Sequence, residues 1–172
     1  DVTFAYGDKY VLKNFDLNIK SGERIGIVGL SGAGKTTLVN LLLRMYDVDK
    51  GAILIDGQNI KDVSQQSLRK QIALVPQESA LFNRTILENI RYAQPTATRA
   101  DVIAAAKKAN IHKFISELPK GYDTILSDNG GNLSQGQRQL LSIARAAVAD
   151  PPVMIMDEAT SSIDTRTEAI VQ

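Results

Sequence analysis

Arg24-Ile25-Gly26-Ile27-Val28-Gly29-Leu30-Ser31-Gly32-Ala33-Gly34-Lys35-Thr36-Thr37-Leu38 is the stretch that decides the fold. Its first five residues are a short apolar run, the pattern of a strand buried on both faces. Gly29 to Gly34 is rich in glycine and leads into Lys35–Tyr46, where Leu38, Leu41, Leu42 and Met45 recur at helical spacing. Strand, glycine loop and helix in that order open an α/β unit. Gly29 to Thr36 also satisfies G-x-x-x-x-G-K-[ST], in the context that motif requires. Glycines there let backbone N–H groups turn inward around a phosphate, and the helix start adds its dipole and its unused donors. Lys35 can then reach the β- and γ-phosphates, and the Thr36 hydroxyl can hold Mg²⁺. The blander alternative is a tight turn beside a solvated lysine, and the flanking strand and helix patterns weigh against it.

Upstream, Val2, Phe4 and Tyr6 alternate, and Phe15, Leu17 and Ile19 alternate again, which predicts two half-buried strands. Downstream, Ile53-Leu54-Ile55 closing on Asp56-Gly57 predicts a strand and turn, and Ile72–Val75 before Pro76 predicts another short strand. The composition then shifts. Residues 85–91, 98–109, 111–118 and 134–149 predict helices, with Thr98 or Asp101 able to cap the second and Pro119-Lys120-Gly121 as a break. Pro151-Pro152 stops the last of these. Val153–Met156 predicts a fully apolar strand, and Thr165–Gln172 starts a further helix. The expected organisation is an α/β core over 1–76 and 146–172, with a mostly helical insertion over 77–145.

The 172 residues suit one ordinary domain, and 44% hydrophobic with 23% charged residues excludes a disordered chain. Lys and Arg number 20 against 19 Asp and Glu, a balance that argues against nucleic-acid binding by bulk electrostatics. No cysteine is present, so a disulfide framework, a thiolate zinc site and a cysteine nucleophile are excluded. No apolar run approaches the roughly 20 residues of a membrane-spanning helix, and no signal-peptide pattern opens the chain.

Two further segments carry chemistry. Val153-Met154-Ile155-Met156 ends in Asp157-Glu158, placing a carboxylate at the tip of a buried strand, where α/β sheets bind ligands. Asp157 there can orient Mg²⁺ or its water, and Glu158 can act as a general base. Asn132-Leu133-Ser134-Gln135-Gly136-Gln137-Arg138-Gln139 opens a helix, with Ser134 as N-cap and Gly136 allowing close approach to the helix start.

Together the three segments resemble the ATP-binding cassette family, whose signature is L-S-G-G-Q; here Leu133-Ser134-Gln135-Gly136-Gln137 has Gln in place of the first glycine. The resemblance covers nearly the whole chain. It implies a P-loop nucleotidase fold with a RecA-like core sheet, an antiparallel β flank and an inserted helical subdomain. It implies ATP and Mg²⁺ as ligands, with Gly29, Leu30, Ser31, Gly32, Ala33, Gly34, Lys35, Thr36 and Thr37 around the phosphates and Tyr6 stacking on adenine. Gln77 matches the glutamine that links Mg²⁺ and attacking water to a membrane partner, and Ser161-Ser162-Ile163-Asp164 matches the D-loop. Thr36, Gln77 and Asp157 are then the metal residues, and Glu158, Lys35 and Gln77 the catalytic ones.

The family further implies head-to-tail dimerisation with a second nucleotide-binding domain, identical or not. Ser134, Gly136 and Gln137 would then serve the neighbour's ATP. The segment Leu81-Phe82-x-x-Thr85-Ile86-x-x-Asn89-Ile90 resembles the exporter branch, whose groove receives a coupling helix of a transmembrane domain. The expected setting is the cytoplasmic face of a cell membrane. A soluble cassette ATPase of DNA repair or translation, and a separate importer subunit, are the alternatives. Asp128-Asn129-Gly130-Gly131-Asn132 departs from the acidic T-E-V-G-E-x-G stretch of many exporters. The family's switch histidine would fall beyond Gln172, so the C-terminal part of the domain is expected to be missing and hydrolysis by this segment alone to be weak. The single histidine, His112, reads as an ordinary helix residue.

Overall fold

The computed structural model describes residues 1–77, 80–128 and 130–157. They form two compact units, one running from Asp1 to Lys70 and the other from Gln71 onward.

In the first unit, β1 (Val2–Tyr6) and β2 (Lys9–Phe15) make an antiparallel hairpin with Tyr6 opposite Lys9. Helix α1 (Lys35–Leu42) brings Leu38 and Leu41 against Val2, Phe4 and Leu12, which together are the buried core of this unit. β3 (Leu54–Ile55) and β4 (Gln58–Asn59) form a second antiparallel pair. The two-residue connection Asp56-Gly57 has φ of +50° and +77°, the left-handed pair that suits a tight hairpin. A single 3₁₀ turn follows at Ile60–Asp62, capped by the Asn59 side chain, and then α2 (Gln65–Gln71).

The second unit is built on a parallel pair, β5 (Ile72–Val75) beside β6 (Val153–Met156), in register from Ile72↔Val153 to Val75↔Met156. The crossover between them carries four helices, α3 (Ile86–Arg91), α4 (Arg99–Lys108), α5 (His112–Glu117) and α6 (Gln135–Ala147). α6 packs against α3, α4 and β5, and Leu140, Leu141, Ile143 and Ala144 supply its buried stripe. Capping boxes start α3, α4 and α6: Thr85 with Glu88, Thr98 with Asp101, and Ser134 with Gln137. Of the two caps considered for α4, Thr98 is the one used. Pro119-Lys120-Gly121 breaks the helices as expected, with a 3₁₀ turn at Gly121–Asp123.

Several expectations need correcting. Arg24–Val28 is not a strand: residues 21–30 are exposed throughout, with Val28 93% and Leu30 88% accessible. An apolar run becomes a strand only by pairing, and among the described residues no strand pairs with this one. The second alternation was misplaced for the same reason. β2 occupies Lys9–Phe15, in register with β1, and Leu17 and Ile19 lie beyond it, about half exposed. α1 stops at Leu42 instead of Tyr46 because Arg44 turns left-handed (φ +50°) and donates to the carbonyls of Ile60 and Val63, leaving Met45 exposed. α2 has only Leu68 buried and therefore no apolar period to read. The helix expected at 165–172 lies outside the described residues.

Candidate functional site

The glycine loop keeps its expected geometry at the start of α1. Gly32 and Gly34 have φ of +83° and +93°, and a Cβ on Gly34 would sit 3.1 Å from Val11 Cγ1, so both position and conformation demand glycine. Gly34 is the N-cap and contributes no side-chain hydrogen bond. The first intrahelical bond runs from Leu38 N to Gly34 O, so the amides of Lys35, Thr36 and Thr37 precede the helical ladder. A helix start without a capping side chain suits an anionic ligand. Lys35 Nζ donates to the carbonyls of Gly29 (2.6 Å) and Leu30 (3.1 Å), which keeps the ammonium inside the loop. Ser31 and Ala33 are exposed, Thr36 is exposed at the second helical position, and Thr37 is buried. Tyr6 ends β1 at 41% exposure, edge-on to Phe4 and to Tyr46 at centroid distances of 4.9 and 5.2 Å. It is therefore not a core aromatic.

In the second unit, the parallel register brings two expected site residues to one end of the sheet. Val75 lies opposite Met156, and Asp157 N donates to Val75 O at 3.0 Å. Asp157 and Pro76-Gln77 therefore leave the carboxyl ends of adjacent strands, the edge where α/β sheets take ligands. Gln77 is exposed there. Glu158, the expected base, and Ser161–Asp164 lie outside the described residues. Among the described residues no group of three His, Asp or Glu side chains could hold a metal by itself.

Ser134 begins α6 as expected. Its Oγ accepts from Gln137 N (3.1 Å), while Gln137 Oε1 accepts from Ser134 N (2.9 Å). Gln135 is the first helical residue and is exposed, so this position does not call on glycine's conformational freedom. Gly136 and Gln137 are half-buried beside it. Arg138 Nη1 donates to Leu133 O at 2.6 Å and supports the turn before the helix. Gly130, at φ +72°, lies where a Cβ would come within 2.9 Å of Leu81. His112 is half-buried and its Nδ1 is 2.9 Å from the Tyr122 hydroxyl, as an ordinary helix residue would be.

Sequence reading missed a polar cluster behind Gln77. Asn89 is 1% exposed; its Oδ1 accepts from Phe82 N (2.9 Å), and its Nδ2 donates to the carbonyls of Phe82 (2.9 Å) and Thr85 (3.1 Å). Arg145 donates to Asn89 O, Ala80 O and Asn89 Oδ1 at 2.9, 2.9 and 3.0 Å, and its guanidinium lies over the Phe82 ring. Burial pushes Arg145 down from its ordinary range. Gln139, 2% exposed, donates to Pro76 O at 3.2 Å. The available signal was a polar residue set inside each helix's apolar stripe, Asn89 three residues after Ile86 and Arg145 four residues after Leu141.

A G-x-x-x-x-G-K-[ST] loop at a helix start in one unit, and an acidic strand tip beside a glutamine in the other, are features also found in P-loop nucleotidases. The model of the ABC transporter family matches residues 12–161, and the chain belongs to that family. The fold is thus the α/β P-loop nucleotidase fold, and ATP binding is the family property of this domain.

Among known proteins, the chain is 52% identical to the ATP-dependent lipid A-core flippase of Syntrophus aciditrophicus, over 100% of this chain and 29% of that one. It is also 52% identical to a Staphylococcus aureus protein named for multidrug export (ATP-binding/permease), over 99% of this chain and 30% of that one. The structure of a bacterial Atm1-family ABC exporter with ATP bound superposes with a TM-score of 0.90 at 49% identity, covering 99% of this chain and 30% of the exporter. The chain therefore spans about three tenths of the length of these relatives. Among the described residues no helix is long and apolar enough to cross a membrane.

Proposed function

We propose that this chain binds and hydrolyses Mg-ATP to power an ABC exporter, by ATP-driven head-to-tail dimerisation coupled to transmembrane domains. The uncapped start of α1, with Lys35 held inside the glycine loop, is the observation that carries the reading. The likeness to proteins named as a flippase and as exporters supports the export role over a soluble ATPase or an importer subunit.

In this reading residues 1–76 and 146–172 belong to the ATP-binding core, and 77–145 form the helical subdomain bearing the signature. Gly29 to Thr37 cradle the phosphates, Lys35 clamps developing charge, and Tyr6 stacks on adenine. Thr36, Asp157 and Gln77 offer hydroxyl, carboxylate and amide oxygens, hard donors that would suit Mg²⁺. Such an ion would supply positive charge against the phosphates of a bound nucleotide. Glu158 takes the proton of the attacking water, which Gln77 positions. Ser134, Gly136 and Gln137 face the partner's γ-phosphate, so the phosphate joins two helix starts and its loss releases them. The setting is the cytoplasmic face of a membrane, with coupling helices of transmembrane domains and a second nucleotide-binding domain as partners and no nucleic acid.

The test is nucleotide binding and assembly in the complete natural polypeptide. Lys35→Ala abolishes most ATP binding by calorimetry, and unchanged affinity breaks the site assignment. Glu158→Gln binds ATP and locks the nucleotide-binding domains together, seen as ATP-dependent crosslinking between the phosphate loop and the partner's signature helix. No gain in crosslinking would contradict the sandwich.

A further inference from the structure

We propose that Gln139 and Arg145 form a two-point brace that positions the segment carrying Gln77, which makes them positioning residues for ATP hydrolysis. The proposal rests on the assignment of Gln77 made above.

Gln139 Nε2 holds the carbonyl of Pro76, the residue before Gln77, and Arg145 Nη1 holds the carbonyl of Ala80. A second tie runs from Arg145 Nη2 through Asn89 Oδ1 to the amide of Phe82. The strand end and the return of the chain are thus both fastened to one helix. The two anchors are six residues apart on α6, roughly 9 Å along a rigid rod. The spacing of the two ties is therefore set by one helix.

Packing alone does not account for these side chains. Gln139 is 2% exposed in the middle of the buried stripe of α6, where an aliphatic residue would pack without any polar group to desolvate. Among the described residues no carboxylate pairs with Arg145; its donors go to backbone and amide oxygens of the 80–89 segment. A guanidinium used in this way is a backbone clamp. Since Ser134 caps α6, the signature turn and the Gln77 segment ride on the same helix. A shift of one is transmitted to the other.

The experiment is a double-mutant cycle on ATP turnover in the complete natural polypeptide, with wild type, Gln77→Ala, Gln139→Leu and the double variant. Gln139→Leu is expected to lower kcat about tenfold with KM nearly unchanged. In the Gln77→Ala background that loss should vanish, which a merely destabilising substitution would not do. Arg145→Lys keeps the charge but not the fork, and should show a smaller loss with the same coupling. A Gln139→Leu loss of equal size in both backgrounds, or no loss at all while Gln77→Ala is slow, overturns the brace and leaves the proposed function standing. A Gln77→Ala variant as fast as wild type overturns the Gln77 assignment itself, and the brace with it.

Discussion

Replacing Asn89 should loosen the turn that leads into α3, by an amount that can be worked out bond by bond. Asn89→Ala leaves the amide of Phe82 without its acceptor in a partly buried site, a cost of about 1–3 kcal/mol. Arg145 loses one of three oxygen partners, about 1 kcal/mol more, the carbonyls of Phe82 and Thr85 lose the Asn89 amide donor, and the truncated side chain adds a small cavity term, bringing the total to about 3 kcal/mol or more. Asn89→Leu separates the causes, because it refills the volume and restores no hydrogen bond. If polar satisfaction dominates, Leu should be nearly as damaging as Ala; if packing dominates, Leu should recover most of the loss. Amide hydrogen exchange at Phe82 is the direct readout. A local destabilisation of about 3 kcal/mol should speed its exchange by roughly a hundredfold. The reasoning fails if the Leu variant exchanges at Phe82 within a few-fold of wild type.

Three other outcomes are expected. Ser134→Ala removes the acceptor for Gln137 N and should weaken the first turn of α6 by about 1 kcal/mol, visible as faster exchange at Gln137. Glu88 and Asp101 are held below their ordinary carboxylate values by hydrogen bonds from Thr85 and Thr98, and Asp123 by its bond from Arg99. A depressed carboxylate stabilises the fold above its unfolded value, 4.5 for Glu and 3.8 for Asp, and loses that contribution as pH falls through the lower folded value. Acid titration by circular dichroism should therefore show α3 and α4 weakening below pH 4.5, and Thr85→Val with Thr98→Val should shrink that pH dependence; an unchanged profile would refute the assignment. Tyr6→Phe should retain ATP affinity while Tyr6→Ala loses about tenfold or more, as base–aromatic stacking predicts; equal affinities in calorimetry would remove Tyr6 from the site.

Local chemistry made much of this protein readable in advance. Ser134 caps α6, Thr98 caps α4 and Pro119-Lys120-Gly121 breaks the helices, because each acts through neighbours a few residues away. The glycine loop was legible for the same reason: Gly32 and Gly34 adopt left-handed backbone that few other residues tolerate, whatever surrounds them. β6 was legible from its unbroken apolar run.

Pairing and burial between distant segments were decided only by the tertiary structure. Arg24–Val28 has the composition of a buried strand, yet a strand exists only with a partner, and among the described residues it has none. The convergence of Asp157 on Gln77 depends on the parallel register of β5 and β6, set across a crossover of four helices. In the sequence Asn89, Gln139 and Arg145 are polar residues whose partners are not in view. Their role appears only once the fold aims them at carbonyls on other segments. Periodicity reports which face of an element turns inward; it carries no information on which group that face will meet.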